Sequence, residues 1–469
     1  MLISSSLLRR RPHRWGTIHK TREPLRPPVG RKMLKFDVVV IGAGILGVSS
    51  AYHLQKSSPD KRILVIDRLG DAGQANTGRS NAMFRNTFSS SDNQVLANSS
   101  IDFYLHVQRE LGIDIGVDTI GYLWLMSDRQ LSAAEGYLEK MAGNGIDFRR
   151  FGETELRNAI PGLETRQDSD EARVMSLEEV DGGIFGPKCG RLAPDKLVGF
   201  YRDRFREMGG QVMFNQEAEH LIVEPREGLG VEGEPFVWQE SSVVGVRLGD
   251  GSEVRAETVV VAGGAWNNEL LDPIGIDGHV KAKKRQLFAV PAKGVPSLET
   301  LLWTKGLNDS GTLPFVILPK SGLFVKPVKE SGEFWIGCED EINRPFITFP
   351  EHDLERYPAE PRYYELNVHQ VLREYMPQFE GARPSRMWAG LYSYNTLDNM
   401  PYVFEQDGLI AVGGDSGSGV MKGDSLGRVV DSVYRDGWDA ETTLYGGATY
   451  RASKLSFRHR DVEREEWVL

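Results

Sequence analysis

The chain has 469 residues, of which 40% are hydrophobic and 26% charged, and its formal net charge is −10. This length accommodates two domains, and the negative charge disfavours a broad nucleic-acid-binding surface, so no nucleic-acid partner is expected. No apolar run approaches the roughly 20 residues of a transmembrane helix. The two cysteines, Cys189 and Cys338, exclude a disulfide framework and fit a reducing compartment. The nine histidines lack metal-ligand spacing, so no metal site is expected.

The first 32 residues differ from the rest of the chain. They contain seven Arg, two Lys and a single acidic residue, Glu23, together with several prolines. An Arg- and Ser-rich, acid-poor start is typical of an organelle transit peptide. Alternatively, Met33 is the natural start and the preceding residues are a disordered upstream extension, because MLKFDVVVIGAG is a usual beginning for a dinucleotide-binding chain. We favour the second interpretation, which predicts a cytoplasmic protein, whereas the first predicts the mitochondrial matrix.

The first predicted elements form a βαβ unit. Residues 36–41 predict a strand that is apolar except at Asp37, as expected for a parallel strand buried on both faces. Apolar side chains then recur at helical spacing over residues 45–54, and residues 63–66 predict a second short strand. A Gly-, Ser- and Asn-rich loop covers residues 71–91, and a helix with one apolar face follows over residues 96–111.

The remaining chain alternates between helical and strand-rich segments. VVGVRLGDGSEVRAETVVVA, within residues 242–262, predicts a hairpin that turns at Asp250-Gly251. The other predicted segments are short strands and helices over 115–180, a helix from Pro194 to Gly209, a strand-rich region over 280–350, a helix near 362–376, a strand over 409–412, and a final helical stretch before a charged, loosely structured tail.

The first of three glycine-containing motifs lies in the βαβ unit. Gly42-x-Gly44-x-x-Gly47 follows a strand and opens a helix, the context that a dinucleotide-binding turn requires. The glycines permit the tight turn, the approach of a pyrophosphate and close helix packing, and the phosphates meet the helix N-terminus. Asp67, twenty residues after Gly47, is placed to bind ribose hydroxyls. This motif alone does not separate NAD from FAD.

The second and third motifs favour FAD. Thr258-Val-Val-Val-Ala-Gly-Gly-Ala-Trp266 leads a strand into a glycine pair, which would be redundant in a simple NAD domain. Gly413-Gly-Asp-Ser-Gly-Ser-Gly419 lies between a strand and a helix, where backbone can lie against a flat ring. The helix N-terminus there would stabilise the negative charge of a reduced flavin.

With these motifs in order, the chain resembles the D-amino-acid oxidase/sarcosine oxidase superfamily of FAD-dependent oxidoreductases. The resemblance covers roughly residues 36–435 and depends on VVVIGAGILG with Asp67, NTGRSNAMFRNTF, VVVAGGAW, and WAGLYSYNTLD followed by GLIAVGGDSGSG. The tyrosine-rich motif with Tyr392, Tyr394 and Asp398 is most similar to the branch that includes sarcosine and dimethylglycine dehydrogenases and FAD-dependent oxidoreductase domain-containing protein 1.

The resemblance implies an α/β (overall α+β) fold in which a Rossmann-type FAD-binding domain is interleaved with a mixed-sheet substrate domain. The FAD-binding domain would comprise residues 33–115, 181–270 and 384–440, the substrate domain residues 116–180 and 271–383, and the C-terminal tail residues 441–469. The resemblance also implies hydride transfer from an amine carbon to flavin N5, giving an imine that hydrolyses. The partners would be a small amine or amino acid and an electron acceptor (a protein, a quinone or oxygen), with a homo- or hetero-oligomer left open.

Site residues follow from the resemblance by motif. Arg85 falls where relatives place an arginine for the substrate carboxylate, a role that suits a planar guanidinium, although an ordinary ion-paired arginine is the alternative. Tyr392 and Tyr394 would line the substrate pocket or simply pack, and Lys422 would assist the carboxylate or the flavin. The residues assigned to the cofactor are Gly42, Gly44, Ile45, Leu46, Gly47, Asp67, Arg68, Thr77, Gly78, Arg79, Ser80, Ala262, Gly263, Gly264, Trp266, Gly390, Gly414, Asp415, Ser416, Gly417, Ser418 and Gly419.

Two departures from the family pattern carry further predictions. The motifs that hold a covalent flavin in some relatives contain no Cys or His here, which predicts non-covalent FAD. The lysine that oxidases use to activate oxygen has no counterpart in GEFWIGCED, where Trp335 occupies its neighbourhood. We therefore expect electrons to leave to an acceptor other than oxygen.

Three alternatives remain. Gly414-Asp-Ser416-Gly imitates a serine-protease nucleophile motif, but it follows a strand and opens a helix. A flavoprotein that acts as an assembly or scaffold factor would keep the FAD without turnover. The third alternative is a 2-hydroxy acid or glycerol phosphate dehydrogenase on the same fold. Basic residues in the pocket would suggest a phosphate-bearing substrate, and the sequence does not show whether the basic run at 283–285 faces it.

Overall fold

The computed structural model describes residues 34–320, 322–339 and 344–457, so the predictions for the first 32 residues lie outside the described residues. The strands are β1 (Leu34–Ile41), β2 (Ile63–Ile66), β3 (Met83–Phe84), β4 (Tyr122–Met126), β5 (Arg149–Gly152), β6 (Gly182–Gly186), β7 (Gly190–Arg191), β8 (Gln211–Met213), β9 (Ala218–Pro225), β10 (Ser241–Leu248), β11 (Glu253–Val261), β12 (Val280–Pro291), β13 (Phe315–Ile317), β14 (Phe324–Val328), β15 (Glu333–Gly337), β16 (Arg386–Asn395), β17 (Tyr402–Gln406), β18 (Leu409–Gly413), β19 (Glu441–Thr443) and β20 (Thr449–Arg451). The helices are α1 (Ile45–Ser57), α2 (Asn76–Arg79), α3 (Ser91–Arg109), α4 (Asp128–Gly143), α5 (Glu153–Ala159), α6 (Asp170–Val174), α7 (Pro194–Glu207), α8 (Asn267–Leu271), α9 (Pro296–Leu301), α10 (Pro361–Tyr363), α11 (His369–Tyr375) and α12 (Gly419–Asp436), with a π-helical turn over Tyr364–Val368.

The first sheet contains the predicted dinucleotide-binding strands. Its order is β17-β18-β11-β1-β2-β8, and all neighbours from β18 to β8 are parallel. In its centre Val39 pairs with Val259 on one side and Leu64 on the other. The central stretches at residues 38–41, 63–66 and 259–261 are apolar and buried because both faces of the sheet are covered there. The predicted hairpin is present as β10 and β11, which pair antiparallel, and β9 extends it.

Helices α1, α3, α7 and α12 cover one face of the first sheet. A buried carboxylate joins three of them, since Asp424 accepts hydrogen bonds from His53 at 2.8 Å, Tyr201 at 3.0 Å and Arg428 at 2.6 Å. Desolvation by burial lowers the pKa of His53 in this network. The network holds α1 and α12 side by side, and both helices begin at the carboxyl edge of the sheet.

The second sheet is mixed and mainly antiparallel. Its order is β16-β12-β15-β14-β13-β4-β6-β5, with β4 and β13 parallel. Strand β16 is its edge, and it is tied to the first unit through α2. The Leu391 amide donates to Asn76 Oδ1 at 2.8 Å, and Arg79 donates to the Ala389 carbonyl at 3.1 Å. The β12–β16 ribbon therefore lies directly against the predicted dinucleotide-binding region.

The predicted fold class, with a Rossmann-type sheet interleaved with a mixed sheet, is confirmed. The segments differ in detail from the predicted boundaries, because β6 and β16 belong to the second sheet although they fall within 181–270 and 384–440. Pairing decides this, since β16 runs antiparallel to β12 along ten residue pairs, from Val280↔Asn395 to Ala289↔Arg386. Residues 441–457 of the predicted tail form the β19–β20 hairpin and a short 3₁₀ turn, with Leu444, Tyr450 and Leu455 buried. The division into domains remains our proposal.

Candidate functional site

One long cleft runs from the carboxyl ends of β1, β2 and β11 to the β12–β16 ribbon. Its empty space, including the part open to solvent, is about 1610 Å³. The wall is continuous from the glycine turn after β1 to Tyr392 and Gly417, so it includes both regions that the sequence assigned to the cofactor. The predicted residues on its wall are Gly42, Gly44, Ile45, Leu46, Asp67, Arg68, Thr77, Arg79, Ser80, Ala262, Gly263, Gly264, Trp266, Gly390, Tyr392, Asp415, Gly417 and Gly419.

The turn after β1 allows a phosphate to approach the backbone closely. Gly42 has a φ of +101°, and a Cβ there would lie 2.5 Å from the Ala262 carbonyl oxygen. A Cβ on Gly47 would lie 1.8 Å from the Gly42 carbonyl oxygen, so α1 packs on the turn more closely than any other residue allows. At Gly44 the nearest atom to an added Cβ is Thr77 Oγ1 at 3.4 Å. The Ile45 amide at the start of α1 donates to Thr77 Oγ1 at 3.3 Å. This N-terminus lies on the cleft wall, where a helix N-terminus suits a phosphate.

The acid at the end of β2 also lies on the cleft wall. Asp67 Oδ2 accepts a hydrogen bond from the Ala43 amide at 2.6 Å, and Oδ1 accepts one from the Leu69 amide at 2.8 Å. A carboxylate oxygen accepts more than one hydrogen bond, so ribose hydroxyls can bind there as predicted. The Arg68 guanidinium beside it stacks 4.1 Å from the Trp266 ring centroid, and burial lowers the pKa of Arg68.

A histidine that sequence reasoning did not select closes this end of the cleft. His352 Nδ1 lies 2.6 Å from Glu217 Oε1, and its Nε2 lies 2.5 Å from Glu269 Oε2. Both nitrogens of a protonated imidazole are donors, so His352 can bridge the two carboxylates. It belongs to residues 344–358, here called the crossing segment, which is also held by the bond from Trp266 Nε1 to the Pro350 carbonyl at 3.1 Å. No local sequence pattern indicated this long-range contact.

The glycine-rich turn after β18 forms the other end of the cleft. Gly417 has a φ of +82°, and an added Cβ would lie 2.2 Å from the Tyr392 ring, so this ring packs directly on the backbone. Helix α12 begins at Gly419 without a side-chain N-cap, which leaves its partial positive charge at the cleft. Asp415 accepts a hydrogen bond from Ser393 Oγ at 2.5 Å, and burial raises the pKa of Asp415.

Ser416, the residue of the protease-like alternative, holds backbone together. Its Oγ accepts a hydrogen bond from the Asn395 amide at 3.1 Å, and its φ is +47°. Among residues 34–320, 322–339 and 344–457, no histidine is hydrogen-bonded to it. The arrangement therefore lacks the base that a serine nucleophile requires.

Eight of the predicted residues lie off the cleft wall, and among them are two of the predicted catalytic cations. Arg85 is 3% exposed, donates to the Thr87 carbonyl, and lies with its guanidinium 4.0 Å from the Phe88 ring centroid. Lys422 donates to Ser418 Oγ at 2.7 Å and lies 4.7 Å from the same ring. Their proposed contacts with substrate stay predictions. The full set off the wall is Gly47, Gly78, Arg85, Tyr394, Gly414, Ser416, Ser418 and Lys422.

A charged cluster that sequence reasoning did not assign lies on the wall beside Tyr392. Arg285 Nη2 lies 2.5 Å from Tyr394 Oη and 3.2 Å from Glu339 Oε1, and Tyr394 Oη donates to Glu339 Oε1 at 3.1 Å. Burial raises the pKa of Tyr392 to about 12, and the positive charges of Arg285 and Arg85 oppose that rise. Of the basic run at 283–285, Arg285 lines the cleft, whereas Lys284 pairs with Glu360. The basic run at 283–285, which the sequence analysis had noted, was the available signal.

A lysine lies beside Trp335, where the sequence predicted none. Lys326 of β14 faces Trp335 of β15, with its Nζ 4.2 Å from the indole centroid, and it donates to the Asn81 carbonyl. Desolvation by burial, with a contribution from Arg191, lowers the pKa of Lys326 to about 7. The signal for it was the single charged residue in the apolar run LFVKPV.

Within the part of the chain that the structure describes, no helix is long and apolar enough to span a membrane. Among the same described residues, no group of three or more His, Cys, Asp or Glu side chains is placed to hold a metal ion.

Comparison with known families decides which dinucleotide the cleft holds. A sequence model of the DAO family, described as FAD dependent oxidoreductase, matches residues 37–432. The chain belongs to this family. The resemblance inferred from the motifs is thereby confirmed, and so is FAD as the cofactor. The residues of this DAO-family chain fit FAD, because the N-termini of α1 and α12 and the Asp67 carboxylate line one continuous cleft.

Individual relatives are distant. The chain is 24% identical to FAD-dependent oxidoreductase domain-containing protein 1 of Xenopus laevis, over 90% of this chain and 82% of that protein. It is 25% identical to glycine oxidase of Pseudomonas aeruginosa, over 78% of this chain and 85% of that protein. Among solved structures, L-proline dehydrogenase from P. horikoshii superposes with a TM-score of 0.66 at 20% identity, covering 87% of this chain and 95% of that one. That likeness shows a shared fold.

Proposed function

We propose that this DAO-family protein oxidises a small amino acid or N-methyl or secondary amine, of the sarcosine, dimethylglycine, glycine or proline type. The observation that carries the proposal is the single cleft, with a dinucleotide cradle at one end and a wall of Tyr392, Arg285 and Glu339 at the other. The names of two relatives, glycine oxidase and L-proline dehydrogenase, describe oxidation of such compounds and support the substrate class.

The roles of the chain's own residues follow from their positions. The backbone at Gly44 and the N-terminus of α1 would bind the diphosphate, and Asp67 would bind ribose. The flavin ring would lie near Gly417, where the N-terminus of α12 favours negative charge and Tyr392 excludes water. When bound, FAD accepts a hydride equivalent from the carbon beside the substrate nitrogen. Charged groups on the cleft wall would orient that carbon toward the ring.

An anaerobic substrate screen tests the proposal. The FAD-loaded protein is mixed, without oxygen, with sarcosine, dimethylglycine, glycine and proline, and the flavin absorbance is followed. We expect bleaching with at least one of these compounds and none with its carboxamide. L-2-hydroxy acids and glycerol phosphate serve as the competing panel. Bleaching only with hydroxy acids would replace the proposal by the dehydrogenase alternative, and no bleaching with any compound would favour a scaffold flavoprotein.

We also propose that electrons leave to an acceptor other than oxygen. The proposal is supported by Trp335, which stands where oxidases of the family are expected to carry a lysine, while Lys326 beside it donates to the Asn81 carbonyl. Reduced protein mixed with air-saturated buffer should reoxidise much more slowly than with an artificial electron acceptor. Reoxidation by oxygen at the same rate would contradict a dehydrogenase.

The FAD is proposed to be non-covalent. Cys338 lines the cleft, but its Sγ lies 2.7 Å from Tyr363 Oη in a hydrogen bond, and the two motifs that attach flavin in some relatives contain no Cys or His. Acid precipitation of the loaded protein should release all of the yellow colour into the supernatant. Colour retained in the pellet would show a covalent bond.

A further inference from the structure

An arginine–glutamate pair on the cleft wall matches the two charges of an amino acid. Arg285 and Glu339 side chains are 10% and 17% exposed and lie 3.2 Å apart at their nearest atoms. We propose that this pair recognises a zwitterion, with Arg285 binding the substrate carboxylate and Glu339 binding the substrate amine. The inference rests on the proposed function and names the residues that would select its substrate.

The position of the pair allows a bound molecule to reach both charges. Arg285 and Glu339 both lie on the wall of the cleft, and Nη2 of Arg285 is 3.2 Å from Oε1 of Glu339. Removing two ions from water is costly, so a ligand that enters the cleft must supply an opposite charge to each of them. A bound zwitterion would give each side chain a new opposite charge, so that neither ion is left unpaired.

Tyr394 supports such binding because its hydroxyl contacts both members of the pair. Its Oη lies 2.5 Å from Arg285 Nη2 and donates to Glu339 Oε1 at 3.1 Å. A hydroxyl donor beside a guanidinium can turn from Glu339 to a substrate carboxylate when Glu339 takes the amine. The Tyr394 ring lies 6.0 Å from that of Tyr392, and Tyr392 packs on Gly417. The pair is thereby positioned next to the expected place of the flavin ring.

Arg85, the arginine selected by motif, is less suited to bind the carboxylate. Its guanidinium donates to the Thr87 carbonyl two residues away and stacks on Phe88, and it is absent from the cleft wall. Arg285 lies on the wall. The two arginines therefore make opposite predictions for mutagenesis.

Three unreactive ligands with one carbon skeleton separate the two charges. 2-Aminoisobutyrate is a zwitterion with no α-hydrogen, its carboxamide carries only the positive charge, and isobutyrate carries only the negative charge. Each is titrated into the FAD-loaded protein, and its dissociation constant is measured from the flavin spectrum or by calorimetry. The wild-type protein should bind the zwitterion more tightly than either singly charged ligand.

Four variants assign the charges. Arg285→Met should weaken binding of the zwitterion and of isobutyrate by about 10- to 100-fold, since a hydrogen bond to a charged group is lost. Binding of the carboxamide, which has no carboxylate, should not change. Arg285→Lys should recover part of that loss. Glu339→Gln should weaken binding of the zwitterion and of the carboxamide, which both carry the amine, but not binding of isobutyrate. Arg85→Met should weaken binding of the zwitterion and of isobutyrate much less than Arg285→Met does, because Arg85 does not line the cleft.

A matched control is provided by another Arg–Glu–Tyr cluster. Arg344 lies 3.3 Å from Glu360 and stacks 4.4 Å from the Tyr363 ring centroid, and it is not on the described wall of the cleft. Arg344→Met should change none of the constants. FAD content is measured for every variant, so that a folding defect is recognised, and the nearly isosteric Glu339→Gln tests the pair if Arg285→Met does not fold.

Binding does not require turnover, so the outcomes separate the two proposals. Charge-selective losses at Arg285 and Glu339 support zwitterion recognition even if no amine bleaches the flavin, a result that would refute only the proposed oxidation. Loss of isobutyrate binding in Arg85→Met but not in Arg285→Met would overturn the inference, as would equal losses for all three ligands in Glu339→Gln. Absence of binding to the wild-type protein would overturn it too.

Discussion

Lys326 is a buried amine whose charge destabilises the folded protein at neutral pH. It is 3% exposed, stacks on Trp335 and donates to the Asn81 carbonyl. Desolvation by burial lowers its pKa from 10.5 to about 7. Methionine has a similar length and no charge. Replacing Lys326 by methionine therefore removes the free-energy cost of a buried charge and makes the stability depend less on pH.

The magnitude follows from the linkage between protonation and folding. At roughly 1.4 kcal/mol per pKa unit, a fall from 10.5 to about 7 corresponds to a cost of about 5 kcal/mol. Below about pH 7 both states hold the proton and the full cost is present; between about 7 and 10.5 only the unfolded chain holds it, so stability rises with pH until the cost vanishes. Lys326→Met also loses the bond to Asn81, worth about 1 kcal/mol.

We therefore expect Lys326→Met to be more stable than wild type by about 4 kcal/mol near pH 6 and about equally stable near pH 10, where the remaining cost of about 1 kcal/mol offsets the lost hydrogen bond. The assay compares urea midpoints of the two proteins at intervals across that range. Lys329→Met removes another lysine from the same region, one that is 34% exposed and 3.4 Å from Asp118, and it corrects for the loss of one positive charge. A difference between wild type and Lys326→Met that stays constant with pH would refute the reasoning.

Three further predictions concern the cofactor and the scaffold. Gly47→Ala places a Cβ 1.8 Å from the Gly42 carbonyl oxygen, so FAD affinity, measured by fluorescence quenching, should fall at least about tenfold; unchanged affinity would show that the turn can relax. His352→Gln weakens the link between the crossing segment and the two glutamates that His352 contacts. FAD release, followed by the recovery of flavin fluorescence, should accelerate about two- to fivefold. An unchanged rate would mean that the segment does not retain the cofactor. Gly136→Ala, in an exposed interior position of α4 where an added Cβ meets nothing within 4 Å, should raise stability by about 0.5–1 kcal/mol in urea titrations; a loss would contradict that account.

Local patterns were sufficient for the dinucleotide cradle. The apolar run of β1, the glycines at 42, 44 and 47 and the apolar spacing of α1 are all within about one supersecondary unit, where each residue's neighbours are known from the chain itself. The same holds for the β10–β11 hairpin, whose turn residues lie between its strands. These elements were predicted close to their observed bounds because their geometry depends on contacts between residues that are near in sequence.

Strand partnership was less predictable. WAGLYSYNTLD was grouped with the flavin-binding segments because of its motif, yet it forms β16 and pairs with β12, about a hundred residues earlier. Likewise, residues 441–457 were predicted as part of a loose tail, but Tyr450 and Leu455 are buried against the first unit. Hydrogen bonding between distant strands leaves no periodic signal in either strand alone.

The sequence by itself determined the family, the cofactor and the cradle that binds it, since these depend on short motifs whose backbone conformation is local. Only the tertiary structure decided which charged side chains line the cleft. Arg85 and Arg285 are equally charged in the sequence, but the first is held by its own loop and the second lies on the edge of a ribbon that faces the dinucleotide-binding turn. The physical reason is that exposure to a cleft depends on how two sheets pack, and that packing is set by contacts between residues hundreds of positions apart.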